Sequence, residues 1–250
     1  MIPSAVHELS DLLISGLIHF ESAVIYILGT TITVCYCPFM GRAPAICGVI
    51  LAAGESSRMG RDKALLPWPL SSSGIGDTFL TAGVRLLAPD VDMVLVVAGK
   101  NQDALAPVVY ANGAFLIVNP DPARGQFSSL QTGLQEVLNR GRDAALVTLV
   151  DRPPVRSETL QRLLTSFRQA LLSRKWAVIP EFQGKHGHPI AVGREMIEAF
   201  LKAPSSSNAR DVEHANATRI EYVALDDPFV IANVDTPEQY SALAAQPASG

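Results

Sequence analysis

The string LAAGESSRMGRDK, from Leu51 to Lys63, combines residue types that suit phosphate chemistry. Small residues from Ala52 to Gly54 let the backbone approach a ligand closely and let N–H groups point at phosphate oxygens. Arg58 and Lys63 add positive charges near the same loop. Such charges stabilise bound phosphates and the transition state of their transfer. The string is therefore predicted to hold a polyphosphate; the alternative is a polar turn with scattered basic residues.

This string differs from the two commonest nucleotide-binding loops. It contains neither the GxxxxGK[ST] pattern of P-loop proteins nor the GxGxxG pattern of dinucleotide-binding proteins. The usual kinase and dehydrogenase interpretations therefore lose support.

A candidate metal ligand is Asp151, which closes the apolar run 144–150 and precedes Pro153 and Pro154. A carboxylate fixed at the end of a strand suits a hard cation such as Mg²⁺. In the alternative interpretation, Asp151 only accepts backbone N–H groups in the turn before a helix.

A further candidate segment, GQFSSL (125–130), lies between a predicted strand and an amphipathic helix. Ser128 and Ser129 are predicted to cap that helix, whose N-terminus can hold an anion or the polar edge of a base. An ordinary capped helix explains the two serines about as well.

The segment LAAGESSRMGRDKALLPW (51–68) resembles the signature of the molybdenum-cofactor nucleotidyltransferases. More narrowly, it is similar to the molybdopterin cytidylyltransferase branch of the MobA-like NTP transferase family. The resemblance covers residues 47–240 and implies a Rossmann-like nucleotidyltransferase fold. It also implies that a cofactor phosphate attacks the α-phosphate of CTP and releases pyrophosphate. The guanylyltransferase branch typically has a second glycine where this chain has Ala53, so CTP is favoured through the resemblance.

The same resemblance implies roles for individual residues. Arg58 and Lys63 are the expected catalytic residues. The residues expected to bind nucleotide are Leu51, Ala52, Ala53, Gly54, Arg58, Lys63, Gly99, Asn119, Gly125, Ser128 and Ser129. Mg²⁺ is the expected cofactor, with Asp151 as its ligand.

The resemblance also implies a role for one residue in each of three other motifs. His188, in GKHGHP (184–189), is expected on a loop that faces the acceptor, and Arg210, in NARDV (208–212), is expected near a substrate phosphate. Asp235, in NVDTPE (233–238), is either a second metal ligand or the cap of the last helix.

Other functions of this chain remain open on the sequence. It could transfer a nucleotide to a sugar phosphate or another small phosphate, or act as a non-catalytic chaperone for the molybdenum cofactor. A molybdenum hydroxylase is a possible client. The formal net charge is −4 and no long basic run occurs, which disfavours a nucleic-acid surface. The three cysteines, Cys35, Cys37 and Cys47, are interpreted as reduced residues of a cytoplasmic protein, and no membrane is expected as a partner.

From Cys47 onwards, predicted strands alternate with predicted helices, and these elements must position the residues named above. Strands are predicted at 47–53, 93–99, 114–119, 144–150, 176–180, 189–192, 220–224 and 229–234. Helices are predicted after Asp77 and Ser157, which would cap them, and around 130–138, 194–201, 207–215 and from 237. This order predicts an α/β fold with a mostly parallel sheet and helices on both faces. Ligands of such sheets bind at the carboxyl ends of the strands.

The first residues differ from the rest. Residues 1–45 are predicted to be an atypical extension of a nucleotidyltransferase domain at 46–245, and one interpretation below is that they are not translated. Residues 22–40 carry no charge and are nearly long enough to cross a bilayer, but they are rich in Thr and β-branched residues. Three interpretations compete: a poor membrane anchor, an added strand or helix packed on the domain, or translation that begins at Met40, which is favoured.

Overall fold

The computed structural model describes residues 43–54, 56, 59–68 and 77–244, together with the backbone of two strands at 23–28 and 31–36. The chain divides into two compact units, Met1–Ala43 and Pro44–Gly250. In the first unit, β1 (Ala23–Leu28) and β2 (Thr31–Tyr36) pair in antiparallel fashion. Within the described part of the chain, no helix has both the length and the apolar character needed to cross a membrane. The three interpretations of this segment remain predictions.

The second unit is built on one mixed sheet. Its strands are β3 (Ile46–Leu51), β4 (Met93–Ala98), β5 (Phe115–Val118), β6 (Ala144–Leu149), β7 (Ala177–Phe182), β8 (Lys185–His186), β9 (Ile190–Gly193) and β10 (Ile220–Ala224). Their order is β10-β7-β9-β6-β3-β4-β5, and β8 pairs with β7. Only β8 and β9 run antiparallel to their neighbours in this sheet. The predicted mostly parallel sheet is confirmed, and the carboxyl ends of β3, β4, β5 and β6 meet at one edge.

Helices cover both faces of the sheet, as predicted. They are α1 (Phe79–Leu87), α2 (Gln102–Ala111), α3 (Gln126–Asn139), α4 (Ser157–Leu172), α5 (Arg194–Lys202), α6 (Ala209–Ala215) and α7 (Pro237–Ala244). The core on one face receives side chains from α1, α2 and α4. The core on the other face receives them from α3, α5 and α6. The central strands supply both cores because successive side chains point to opposite faces: in β4, Val94 and Val96 face the first, and Leu95 and Val97 the second.

Two predicted helix caps are wrong. Thr78, not Asp77, caps α1: its hydroxyl accepts the N–H of Thr81, and Asp77 instead pairs with Arg85. Helix α4 begins at Ser157 itself, so that residue cannot be its cap. In both cases a neighbouring residue occupies the flanking position, which composition alone does not fix within one residue.

Three other elements differ from the prediction. The predicted strand at 229–234 is a short 3-10 helix, Pro228–Val230, followed by an irregular loop. Its cause is the fully buried Asp227, whose carboxylate accepts the N–H groups of Phe229 and Arg156. The apolar sequence of β5 is typical of a buried strand, but β5 lies at the edge of the sheet and is partly exposed. Helix α2 was not predicted, and it contains Pro107 in its interior.

Helix α4 offers a matched test of the core. Leu164 is fully buried, whereas Leu172 on the same helix is 69% exposed. We expect Leu164→Ala to lower the free energy of unfolding by about 2–5 kcal/mol, because it leaves a cavity. Leu172→Ala should change it by less than about 0.5 kcal/mol. Urea unfolding followed by circular dichroism measures both, and equal losses would contradict the assigned face of the helix.

Candidate functional site

A cleft of about 750 Å³ opens at the carboxyl ends of β3 and β6. The residues predicted to bind nucleotide that line it are Leu51, Ala53, Gly54, Lys63, Gly125 and Ser129. Both predicted metal ligands, Asp151 and Asp235, also line it. The adjacency of β3 and β6 in the sheet explains why the loop after Leu51 and the turn at Asp151 face each other.

Lys63 joins the two carboxylates of the cleft. Its Nζ lies 2.6 Å from Oδ1 of Asp235 and 3.4 Å from Oδ2 of Asp151. Asp235 Oδ2 accepts a hydrogen bond of 2.6 Å from the Asn233 amide. All three charged side chains are largely buried, with 12% of Lys63, 26% of Asp151 and 24% of Asp235 exposed. The geometry therefore brings one cation and two carboxylates from distant parts of the chain into one cleft.

Each aspartate had an alternative to a metal role: Asp151 could accept backbone N–H groups, and Asp235 could cap the last helix. The Asp151 side chain accepts from the Lys63 ammonium through Oδ2, while Oδ1 is buried without a hydrogen-bond partner. Thr236, rather than Asp235, accepts the N–H of Gln239 in the first turn of α7.

The donor set of the cleft fits a magnesium-like ion. Among the residues that the structure describes, no group of three or more His, Cys, Asp and Glu side chains could hold a metal. Mg²⁺ commonly binds one or two carboxylates and takes its other ligands from water and substrate phosphates. Asp151, with its unpartnered Oδ1, and Asp235 match that requirement.

The loop after β3 is held by a hydrogen-bond network centred on Asn101, at the start of α2. The Asn101 amide donates to the Ala52 carbonyl at 2.9 Å and to Oδ2 of Asp62 at 2.6 Å. Its Oδ1 accepts the N–H of Gly99 at 3.0 Å. Asn101 therefore ties the exit of β3 to the residue immediately before Lys63. Sequence analysis missed this role; the only signal is a polar side chain two residues beyond the end of a buried strand.

The structure refines the predicted roles of the loop backbone. The Ala52 N–H donates to the Val97 carbonyl at 2.8 Å, so it is already used within the sheet. Ala53 and Gly54 are the small residues that face the cleft. Gly99 does not line the cleft, but a Cβ there would lie 2.9 Å from the Ala53 carbonyl oxygen, so a side chain would push the loop away. Arg58 lies outside the described residues, and its catalytic role stays a prediction.

The first turn of α3 borders the cleft through Gly125, Gln126 and Ser129. The prediction that Ser128 and Ser129 cap this helix is wrong, because Gly125 occupies the capping position. The serine hydroxyls instead accept from the buried Asn119 amide, at 2.8 and 3.0 Å. Asn119 thus fixes the helix N-terminus, whose positive end favours an anion in the cleft.

Arg152 lies in the cleft wall next to Asp151. Its Nη1 lies 3.4 Å from the carbonyl oxygens of Val230 and Ala232, in the loop that leads to Asp235. Burial lowers the pKa of Arg152, while the nearby carboxylates of Asp151 and Asp235 oppose that shift. The Val234 N–H also donates to the Asp151 carbonyl at 2.9 Å. These bonds hold the two carboxylate-bearing segments together, a role that sequence analysis did not assign to Arg152.

His188 and Arg210, predicted at the acceptor side, do not line this cleft. His188 is half-buried, with Nδ1 3.4 Å from the Val147 carbonyl. Burial and the positive charge of Arg152 lower the pKa of His188 to about 3, so its imidazole is neutral at ordinary pH. Arg210 lies on an exposed part of α6. The acceptor roles of both residues stay predictions.

Comparison with known proteins supports the family that the sequence resembles. Residues 48–220 match the family model of the MobA-like NTP transferase domain. A molybdenum cofactor cytidylyltransferase of Escherichia coli K12 is 25% identical over 202 residues, which cover 78% of this chain and 94% of that protein. A nicotine blue oxidoreductase of Paenarthrobacter nicotinovorans is 29% identical over 203 residues, 78% of this chain and 95% of that protein.

A solved structure shows the same fold. Rv0371c of Mycobacterium tuberculosis H37Rv, in complex with manganese, superposes with a TM-score of 0.63 at 21% identity and covers 81% of this chain and 100% of its own. Together with the sheet order, this similarity confirms the predicted Rossmann-like nucleotidyltransferase fold.

The Asn101 network predicts an effect on ligand binding. Asn101→Ala should weaken the binding of a nucleoside triphosphate by about tenfold, because Lys63 loses its fixed position. Isothermal titration calorimetry measures the affinity. Asn112→Ala is the matched control, since Asn112 follows the other end of α2 and its amide bonds only the Val108 carbonyl. Equal affinities of the two variants would contradict the role given to Asn101.

Proposed function

Because the chain belongs to the MobA-like NTP transferase family, we propose that it transfers a nucleoside monophosphate to the phosphate of a molybdopterin-type acceptor. In this reaction an acceptor phosphate oxygen attacks the α-phosphorus of a nucleoside triphosphate. The bond between the α-phosphorus and the bridging oxygen breaks, and pyrophosphate leaves. The observation that carries the proposal is the convergence of Lys63, Asp151 and Asp235 in one cleft beside a loop of small residues.

The cleft supports a specific placement of the triphosphate. Its phosphates lie against Ala53 and Gly54, where nothing larger than a methyl group keeps the backbone at a distance. Lys63 donates to the phosphate oxygens and stabilises the negative charge that moves onto the leaving pyrophosphate. The N-terminus of α3, at Gly125 and Gln126, faces the same space and favours negative charge. Arg58 is proposed as a second cation from the same loop.

A divalent cation, Mg²⁺ in this proposal, would be held by Asp151 and Asp235 and would offset charge on the phosphate oxygens. The protein's own contribution is to hold both carboxylates within reach of the loop. Arg152 does this by bonding the carbonyl groups before Asp235, and the Val234 N–H does it by bonding Asp151 directly.

The proposed donor nucleotide, client and location rest on the resemblance of the sequence to the molybdopterin cytidylyltransferase branch. CTP is the proposed donor because Ala53 stands where the guanylyltransferase branch typically has glycine. A molybdenum hydroxylase is the proposed client of the product, and the cytoplasm is the proposed location.

The test is to incubate the protein with Mg²⁺, a molybdopterin-type acceptor and each of the four nucleoside triphosphates in turn, and to measure the pyrophosphate released. Sugar 1-phosphates serve as rival acceptors. We expect release with CTP and the molybdopterin acceptor. Release only with a sugar phosphate would point to the other transferase class. Binding of the finished cofactor without any pyrophosphate release would instead support a chaperone.

Lys63 gives the corresponding mutational prediction. Lys63→Ala should lower kcat/KM by about 100-fold or more, because it removes a charge that acts on the transition state. The melting temperature should change by only a few degrees, since the side chains of Asp151 and Asp235 keep 26% and 24% of their surface in contact with water when the ammonium is removed. Lys202→Ala, at the end of α5 with 76% of its side chain exposed, is the control and should keep full activity. Full turnover by Lys63→Ala would refute the active-site assignment.

A further inference from the structure

The carboxylate oxygens of the cleft are nearly all occupied by the protein's own donors. Asp235 Oδ1 accepts from Lys63 at 2.6 Å, and Asp235 Oδ2 accepts from Asn233 at 2.6 Å. Asp151 Oδ2 accepts from Lys63 at 3.4 Å. Asp151 Oδ1 has no partner. A divalent cation that entered alone would thus meet one open oxygen and an ammonium group bonded to both of its ligands.

We infer that Lys63 is an internal competitor of the divalent cation, and that the triphosphate removes it from the carboxylates. Without nucleotide, the ammonium offsets one of the two negative charges of Asp151 and Asp235 and disfavours the binding of free metal. With nucleotide, the phosphates attract the ammonium and free the carboxylate oxygens for the ion. The inference rests on the proposed function, since it takes these two aspartates as the metal ligands.

Electrostatics favour the exchange. A hard divalent ion binds carboxylate oxygens at about 2.0–2.1 Å in the case of Mg²⁺, and Lys63 Nζ already lies 2.6 Å from one of the same oxygens. Two cations on one oxygen repel each other strongly in a partly buried cleft, where water screens charge poorly. This repulsion favours movement of the ammonium away from the oxygens when the ion binds both aspartates.

The structure shows which part of Lys63 is free to move. Its backbone is fixed, because its N–H donates to the Ser56 hydroxyl at 3.1 Å and the preceding Asp62 is bound by Asn101. Its side chain lies in the same cleft as Ala53 and Gly54, so rotation about side-chain bonds brings the ammonium towards the proposed phosphate position. Arg152, the other described cation in the cleft wall, is bonded to two carbonyl groups and stays in place.

Direct metal binding tests the inference without any enzymatic turnover. Mn²⁺ is titrated into the nucleotide-free protein, and free Mn²⁺ is measured by electron paramagnetic resonance. We expect Lys63→Gln to bind Mn²⁺ about tenfold more tightly than the unaltered protein, because the two carboxylates lose their competing cation. Lys185→Gln makes the same change in net charge on an exposed strand and should leave the affinity unaltered. Lys63→Arg keeps the cation and should bind Mn²⁺ as weakly as the unaltered protein.

The converse measurement uses nucleotide without metal. Titration of CTP in excess EDTA should show tighter binding by Asp235→Asn, since Lys63 then loses its nearest carboxylate. Asp121→Asn, an exposed aspartate, is the matched charge control and should bind CTP as the unaltered protein does.

The outcomes separate this inference from the proposed function. Equal Mn²⁺ affinities of Lys63→Gln and the unaltered protein would overturn the inference while leaving nucleotidyl transfer intact. Equal CTP affinities of Asp235→Asn and Asp121→Asn would also overturn it. If Lys63→Gln binds Mn²⁺ tightly and the added change Asp151→Asn does not weaken that binding, then both the inference and the proposed metal site are wrong.

Discussion

The Lys63 ammonium lies between two carboxylates, 2.6 Å from Asp235 and 3.4 Å from Asp151. None of these groups could be buried at low cost by itself, because a charge removed from water needs a partner. Each comes from a different part of the fold: the loop after β3, the end of β6 and the loop before α7. The rest of the cleft architecture can be understood as the means by which these three segments are held together.

Two kinds of contact hold them. The neighbouring parallel strands β3 and β6 end at one edge of the sheet, which sets the distance between the Lys63 loop and Asp151. Hydrogen bonds from side chains then fix the positions of the loops, which the strands alone do not determine. Asn101 ties the two ends of the loop, and Arg152 ties the segment before Asp235 to the turn at Asp151. Asn101 bonds the Ala52 carbonyl and Asp62, and Arg152 bonds the Val230 and Ala232 carbonyls, so neither side chain takes up a carboxylate oxygen of Asp151 or Asp235.

The sequence predicts the parts of this arrangement that are local. Buried strands appear as continuous apolar runs, and the small residues and cations of the first loop stand next to one another in the chain. The contacts that complete the site are not local. Asn101 donates hydrogen bonds to Ala52 and Asp62, which are 49 and 39 residues away. The residues next to Asn101 in the sequence do not indicate either partner. The predicted strand at 229–234 was wrong for the same reason, because Asp227 shapes that segment through bonds to Arg156 and Thr159.

The separation of Lys63 and Asp235 along the chain, 172 residues, bears on how the protein is made. On the ribosome the loop after β3 is therefore synthesised well before Asp235. A nascent chain that has passed β6 contains Lys63, Asp151 and the central strands but not yet the second carboxylate. The cleft therefore cannot be complete until the loop before α7 has been added, and until then the lysine lacks the nearer of the two acids that restrain it.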